Sequence, residues 1–433
     1  MFTSSALLTD HYELTMLQAA LESGTAQRHC VFEVFARRLA DGRRYGVLAG
    51  TGRFLEGLAN FRFGHDELEY LAQTRVVNDA TLEYLQDFRF TGNIYGYAEG
   101  EIYFPHSPVL QVEASFAQAC ILETYLLSIL NYDSAVASAA SRMSLAAGRR
   151  PCLEMGSRRA QEMAAIAAAR AAIIAGFTAT SNLEAGRRYG LHTIGTSAHA
   201  FTLLHDSEEE AFRAQLKSLG VETTLLVDTY DVEKAVRLAV KLAGPKLGGV
   251  RLDSGDLVAQ ASWVRQLLDE LGNSSTKITV TSDLDEYAIA SLAAAPVNSY
   301  GVGTKLVTGS GAPTSSMVYK VVARENSLGQ LEPVAKASSG KASLGGRKHA
   351  MRRINKAGVA SAEVIGVDVQ APADSNDREL LVTYVKDGRV VDGYTGAQGV
   401  RRAAERHARS LRELPRAASR LSHGDPVIPT EFV

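Results

Sequence analysis

From residue 108 to 305 the chain repeats one rhythm: a short apolar run, a polar break, then a segment with helical periodicity. The run 152–155 precedes an Ala-rich helical segment reaching 174, and 177–180 precedes 182–189. The run 193–196 leads to the loop that carries His199, and 223–227 precedes 232–242. After these, 247–252 precedes 257–271, 277–280 precedes 285–294, and 299–302 leads into Gly303 and Thr304. Roughly seven or eight strand-then-helix units in succession predict a parallel sheet covered by helices, because parallel strands need a crossover between them. The expected fold class is α/β: an irregular TIM-like barrel over 108–323, with an open doubly wound sheet as the alternative.

The flanks follow a different grammar. A chain of 433 residues is long enough for two domains. Residues 1–107 mix helical and strand-like runs and predict an α+β domain. Its first helix opens at Asp10, with Glu13 placed as a capping-box partner, and its apolar face is Leu14, Leu17 and Leu21. Tyr12 falls in the first turn, where helical position alone makes it a packing residue. Residues 30–36 read as a strand, and 91–104 as strands joined by tight glycine turns. Residues 324–433 form a C-terminal segment expected to pack on the N-terminal domain. Within it, 338–348 is rich in Gly, Ser and Lys and predicts a mobile loop, and 400–414 predicts a basic helix.

Several function classes are excluded by bulk properties. A formal net charge of −2 provides no global polycation for nucleic acid, so any phosphate recognition is local. No apolar run is long enough to span a bilayer, and the first residues lack a basic region followed by an apolar core. Cys30, Cys120 and Cys152 are scattered, with neither metal spacing nor a disulfide framework. That suits a reducing, cytoplasmic setting.

Chemistry enters where the strands stop. Successive breaks carry Ser157-Arg158-Arg159, Ser181-Asn182, Ser197-Ala198-His199, Asp228-Thr229-Tyr230-Asp231, Asp253-Ser254-Gly255-Asp256, Ser282-Asp283 and Gly301-Val302-Gly303-Thr304-Lys305. In a parallel barrel these ends converge on one mouth. Paired arginines suit a phosphate or carboxylate through forked hydrogen bonds, and a Gly-x-Gly-Thr loop lets backbone N–H groups approach a phosphate closely. Each feature alone has an ordinary structural explanation: a turn, a solvated helix start, a hydrogen-bonded histidine. Their co-location predicts a site for an anionic, phosphate-bearing substrate, and composition and periodicity go no further.

The ordered set Thr9-Asp10-His11-Tyr12-Glu13-Leu14-Thr15-Met16, Glu154-Met155-Gly156-Ser157-Arg158-Arg159-Ala160, Gly195-Thr196-Ser197-Ala198-His199, Val227-Asp228-Thr229-Tyr230-Asp231, Arg251-Leu252-Asp253-Ser254-Gly255-Asp256 and Gly301-Val302-Gly303-Thr304 resembles the nicotinate phosphoribosyltransferase family. The resemblance implies a type II phosphoribosyltransferase fold, an irregular barrel beside an α+β domain, working as a homodimer with shared active sites. It implies phosphoribosyl transfer from phosphoribosyl pyrophosphate to nicotinate, with Mg²⁺, coupled to ATP hydrolysis through phosphorylation of His199.

By the same resemblance Asp228 orients the imidazole, and Arg251 and Asp253 flank the base and ribose. Gly301, Gly303 and Thr304 hold the 5′-phosphate, and Arg158 lies near the pyridine carboxylate. Asp283 belongs to the same substrate-binding set. Tyr12 stacks on the pyridine from the partner subunit, which replaces its packing role. Lys320, Lys336 and Lys341 are candidate nucleotide contacts across subunits. Ser181 and Asn182 leave a neutral place open to a carboxylate, which separates this chain from its rival, a nicotinamide phosphoribosyltransferase. A quinolinate phosphoribosyltransferase, the second rival, needs a more basic pocket and no ATP.

Overall fold

A computed structural model describes residues 4–40, 42–336, 344–374 and 376–433. The chain divides into two compact units, one formed by 1–138 with 312–433 and the other by 139–311. This moves the expected boundaries at 107/108 and 323/324. The strand Leu110–Ser115 is hydrogen-bonded to His29–Ala36 on one side and Asn93–Tyr97 on the other, and Met317–Glu325 pairs with His29–Ala36. Both segments therefore belong to the first unit. The strand Leu110–Ser115 followed by helical periodicity mimics a barrel unit in sequence, and only its pairing partners reveal otherwise.

The first unit is built on a seven-stranded antiparallel sheet. Its order is Leu331–Pro333, Met317–Glu325, His29–Ala36, Leu110–Ser115, Asn93–Tyr97, Leu381–Lys386 and Arg389–Val390. His29–Ala36 is buried along nearly its whole length, so its sequence is almost continuously apolar rather than alternating. Its exception, Glu33, is matched by Lys348 at 3.2 Å, both side chains being buried. Lys348 opens the strand Lys348–Ile354 and donates to the carbonyls of Leu344 and Gly346. Lys348, placed at the end of the expected loop, is thus a strand residue; residues 337–343, Lys341 among them, lie outside the described residues.

One further expectation in this unit changes. Asp10 is the N-cap of the helix His11–Glu22, but its side chain makes no capping bond. Asp10 instead accepts the Thr124 hydroxyl at 2.8 Å, while Glu13 accepts the Thr124 amide at 2.8 Å and the Thr9 hydroxyl. The segment 91–104 is, as expected, two strands joined by a tight turn at Gly100, and each takes its own partner: Asn93–Tyr97 joins the large sheet, and Ile102–Tyr103 pairs with Gly46–Val47.

The second unit holds six parallel strands, β1 (Cys152–Glu154), β2 (Ala179–Thr180), β3 (Thr224–Leu226), β4 (Gly249–Leu252), β5 (Lys277–Val280) and β6 (Ser299–Val302). Their order across the sheet is β2-β1-β6-β5-β4-β3. The first strand pairs with the last, Tyr300 opposite Cys152, as in a barrel rather than an open sheet. A parallel bridge between Thr180 and Thr193 extends the β2 edge. Among the described residues no ladder joins that edge to β3, so the curled sheet has a seam there. The segment crossing the seam carries the helices His199–Leu204 and Glu208–Leu219. On the face of the sheet opposite the one that carries Arg251, Thr281 and Gly301, Leu225, Val250, Leu252, Ile278, Val280, Tyr300 and Val302 are buried. No helix among the described residues is long and apolar enough to cross a membrane.

Candidate active site

Because every strand of the second unit runs the same way, the residues following each strand gather at one mouth. A cavity of about 270 Å³ opens there, lined by residues from the ends of β1, β4, β5 and β6. It brings together Arg158, Arg251, Asp253, Asp283, Gly301, Gly303 and Thr304 of the predicted set. Met155, Arg159, Thr281 and Ser282 complete the wall.

The glycines are there for space. A Cβ on Gly301 would stand 2.4 Å from Thr281 Cγ2 and 2.7 Å from Met155 Sδ. One on Gly156 would stand 2.2 Å from Val307 Cγ1. Beneath the β1 end, Glu154 is fully buried and accepts the Thr180 hydroxyl and the Gly156 amide. Burial pushes the Glu154 carboxyl up, and those two hydrogen bonds pull against it. The loop carrying Arg158 and Arg159 therefore starts from a fixed amide, while both guanidinium groups remain exposed.

His199 stands on the rim, with its side chain 40% exposed. Its Nδ1 lies 3.2 Å from the Thr229 hydroxyl. Its Nε2 faces Asp228 Oδ1 at 3.8 Å and Asp253 Oδ2 at 3.9 Å. Asp228 is nearly inaccessible, and its Oδ2 accepts the Asp253 amide and the Ser254 hydroxyl, each at 2.9 Å. Its Oδ1 is buried with no hydrogen-bond partner. Asp253 in turn accepts the Thr281 hydroxyl. Arg251 donates through Nη1 to the Ser197 carbonyl at 3.3 Å, so β4 contacts the segment leading to His199.

Not every predicted residue reaches the cavity. Asn182 caps the helix Leu183–Tyr189 by accepting the Ala185 amide at 2.8 Å, and its Nδ2 donates to Ser157 Oγ at 3.0 Å. Ser181 is exposed, and neither residue lines the cavity wall. Tyr12 belongs to the first unit, where it is 46% exposed. Partial burial and the Glu123 and Glu13 carboxylates push its phenol up to about 12. Lys320 is committed within its own unit, donating to the Tyr319 carbonyl and lying 3.5 Å from Glu123.

Thr281 is the wall position that strand grammar hides. Thr281 continues the β5 backbone pairing, donating its amide to Leu252, and so reads as one more strand residue. Ser282 has a φ of 144°, a conformation that non-glycine residues seldom hold except where the surroundings impose it.

Two family models match the chain: the nicotinate phosphoribosyltransferase N-terminal domain over residues 7–131 and the nicotinate phosphoribosyltransferase family over 151–357. A nicotinate phosphoribosyltransferase of Mycobacterium tuberculosis is 53% identical over 438 residues, covering 99% of this chain and 95% of the relative. The chain belongs to the nicotinate phosphoribosyltransferase family. A Bacillus subtilis nicotinate phosphoribosyltransferase is 39% identical, covering 82% of this chain and 74% of the relative. The crystal structure of human nicotinic acid phosphoribosyltransferase superposes with a TM-score of 0.83 at 25% identity, covering 98% of this chain and 97% of the other. The mixed α/β fold, with a curled parallel sheet and an added α+β unit, is that of the nicotinate phosphoribosyltransferases.

Proposed function

We propose that this chain transfers the phosphoribosyl group of phosphoribosyl pyrophosphate to nicotinate, giving nicotinate mononucleotide and pyrophosphate. The observation that carries this is the convergence of Arg158, Arg251, Asp253, Asp283 and the Gly301–Thr304 loop on one cavity, in a chain of this family. The pyridine nitrogen attacks the anomeric carbon, and the bond to pyrophosphate breaks, through a ribose that carries positive charge as it passes. Catalysis of such a step is mostly alignment and charge compensation. The Asp253 carboxylate faces the ribose, its orientation fixed by Thr281 and by the backbone bond to Asp228. Arg158 and Arg251 offer forked donors to the pyridine carboxylate and the departing phosphates. Gly301 and Gly303 keep the wall open for the 5′-phosphate, with Thr304 adding a hydroxyl.

No group of three or more His, Cys, Asp or Glu side chains able to hold a metal exists among the described residues. Mg²⁺ would arrive on the diphosphate of the substrate, held by one or two carboxylates with water completing its shell. Asp253 and Asp283 are the cavity carboxylates placed to hold it, and bound Mg²⁺ would offset the charge of the leaving diphosphate.

His199 is the residue we assign to ATP coupling. A phosphoryl group passes from ATP to its ring nitrogen and then to water, which draws an otherwise nearly balanced transfer forward. Its place beside Asp228, Thr229 and Asp253 supports this role, since these groups orient the ring and choose its tautomer. We assign a homodimer in which Tyr12 stacks on the pyridine held by the partner subunit. Three free, buried cysteines support a cytoplasmic setting.

The deciding experiment supplies the purified protein with Mg²⁺, phosphoribosyl pyrophosphate and either nicotinate or nicotinamide, with and without ATP. Nicotinate mononucleotide should form, faster with ATP. Preference for nicotinamide, or indifference to ATP, would defeat the corresponding part of the proposal.

A further inference from the structure

A buried ion pair behind the cavity joins two of its walls. Arg142 and Glu286 each have side chains 5% exposed, and Arg142 Nε donates to Glu286 Oε1 at 2.9 Å. Arg142 Nη2 also donates to the Tyr287 hydroxyl at 3.3 Å. The other carboxylate oxygen, Glu286 Oε2, accepts the Ser310 hydroxyl at 2.6 Å. Glu286 opens the helix Glu286–Ser291, just beyond Ser282 and Asp283 of the cavity wall. Ser310 follows the short helix Thr304–Val307, which begins at the Gly303–Thr304 wall. One carboxylate therefore ties the segment carrying Asp283 to the segment carrying Thr304.

Both segments contain backbone that needs holding. Ser282 has a φ of 144° and Ser310 a φ of 53°, neither a conformation that serine adopts freely. A buried ion pair is a weak source of stability, because desolvation offsets its attraction. It is, however, geometrically demanding, and losing one partner leaves the other charged and unpaired. Those properties suit alignment more than stabilisation.

We propose that Arg142, acting through Glu286, is a positioning residue that sets the spacing between the Ser282–Asp283 and Gly303–Thr304 walls. It thereby governs affinity for the phosphoribosyl donor rather than for the pyridine, whose arginine partners Arg158 and Arg251 come from other strand ends. This rests on the transferase reading above.

The test uses the full-length protein and compares Arg142→Gln, Arg142→Lys and Ser310→Ala. Michaelis constants are measured separately for phosphoribosyl pyrophosphate and nicotinate, alongside calorimetric binding of phosphoribosyl pyrophosphate with Mg²⁺ alone. Arg142→Gln should raise the donor constant roughly tenfold while leaving that of nicotinate within about twofold, as expected for a sub-ångström misplacement confined to one end. Arg142→Lys, which keeps a cation opposite Glu286, should recover most of the loss. Ser310→Ala should shift the same constant in the same direction by a smaller factor, and it decides the matter if Arg142→Gln fails to fold. Parallel changes in both constants, or unchanged donor binding in a folded variant, would overturn the proposal. Wild-type protein that binds no donor would instead remove the transferase reading itself.

Discussion

Asp228 accepts the backbone amide of Asp253 at 2.9 Å, so two strand ends 25 residues apart in sequence are locked in register by one carboxylate. The same oxygen takes the Ser254 hydroxyl, and the other faces His199. Replacing Asp228 with Ala strands two donors and should cost about 1–3 kcal/mol of stability. Asp228→Asn keeps one acceptor and should cost less, while removing the charge beside the imidazole. ATP stimulation should fall in both. Urea unfolding together with the ATP-dependent rate checks this, and a fully stimulated Asp228→Asn enzyme would count against the assigned role.

His199→Ala should abolish ATP stimulation and acid-labile phosphate labelling while leaving ATP-independent transfer measurable. The side chain is on the rim and substantially exposed, so little packing is lost. Labelling with γ-labelled ATP settles it: label retained in the variant excludes His199 as the acceptor.

Gly301→Ala places a methyl group against Thr281 Cγ2 and Met155 Sδ. The methionine can move, but Thr281 is tied to Asp253. The expected result is a stability loss of about 1–3 kcal/mol from overpacking. Displacing Asp253 should also lower kcat/KM by roughly tenfold to a hundredfold. Steady-state kinetics and a thermal melt measure the two effects separately, and wild-type kinetics would show that the wall tolerates the methyl group.

Mixed dimers test the shared site. Subunits carrying Tyr12→Ala, combined with subunits carrying Asp253→Ala, should regain part of the activity that each pure variant lacks, because one of the two sites is then intact. No recovery in verified mixed dimers would argue that Tyr12 acts only within its own subunit, or not at all.

His407 supplies a pH prediction away from the site. It is buried in the helix Gly396–Glu413, and burial holds it down to about 4, against weaker upward pulls from Glu101 and the Gly100 backbone. The unfolded chain binds the proton first. Stability from this group is therefore complete above its unfolded pKa and is lost as pH falls from about 6.5 toward 4. The loss by pH 5 should be about 2 kcal/mol. His407→Phe should flatten that part of the profile in urea unfolding at pH 5 and pH 8; an unchanged slope would show that other groups set it.

The amino-acid sequence by itself determined the parallel rhythm of the second unit and, with it, where the chemistry sits. Strand periodicity is local, and parallel strands necessarily present their carboxyl ends to the same side. Asp253, Gly303 and Thr304 could thus be placed near one another without coordinates. Tertiary structure alone decided which neighbours each polar group took. Leu110–Ser115 has the local signature of a barrel strand, yet hydrogen-bonds into the other sheet. Asp10 and Glu13 are spaced as a capping box, yet both are drawn to Thr124. Asn182 was placed as a substrate ligand, but its side chain is spent on Ala185 and Ser157. Thr281 gave no sign of its bond to Asp253. In each case the local pattern permits several hydrogen-bond partners, and the choice falls to residues brought close only when the chain closes on itself.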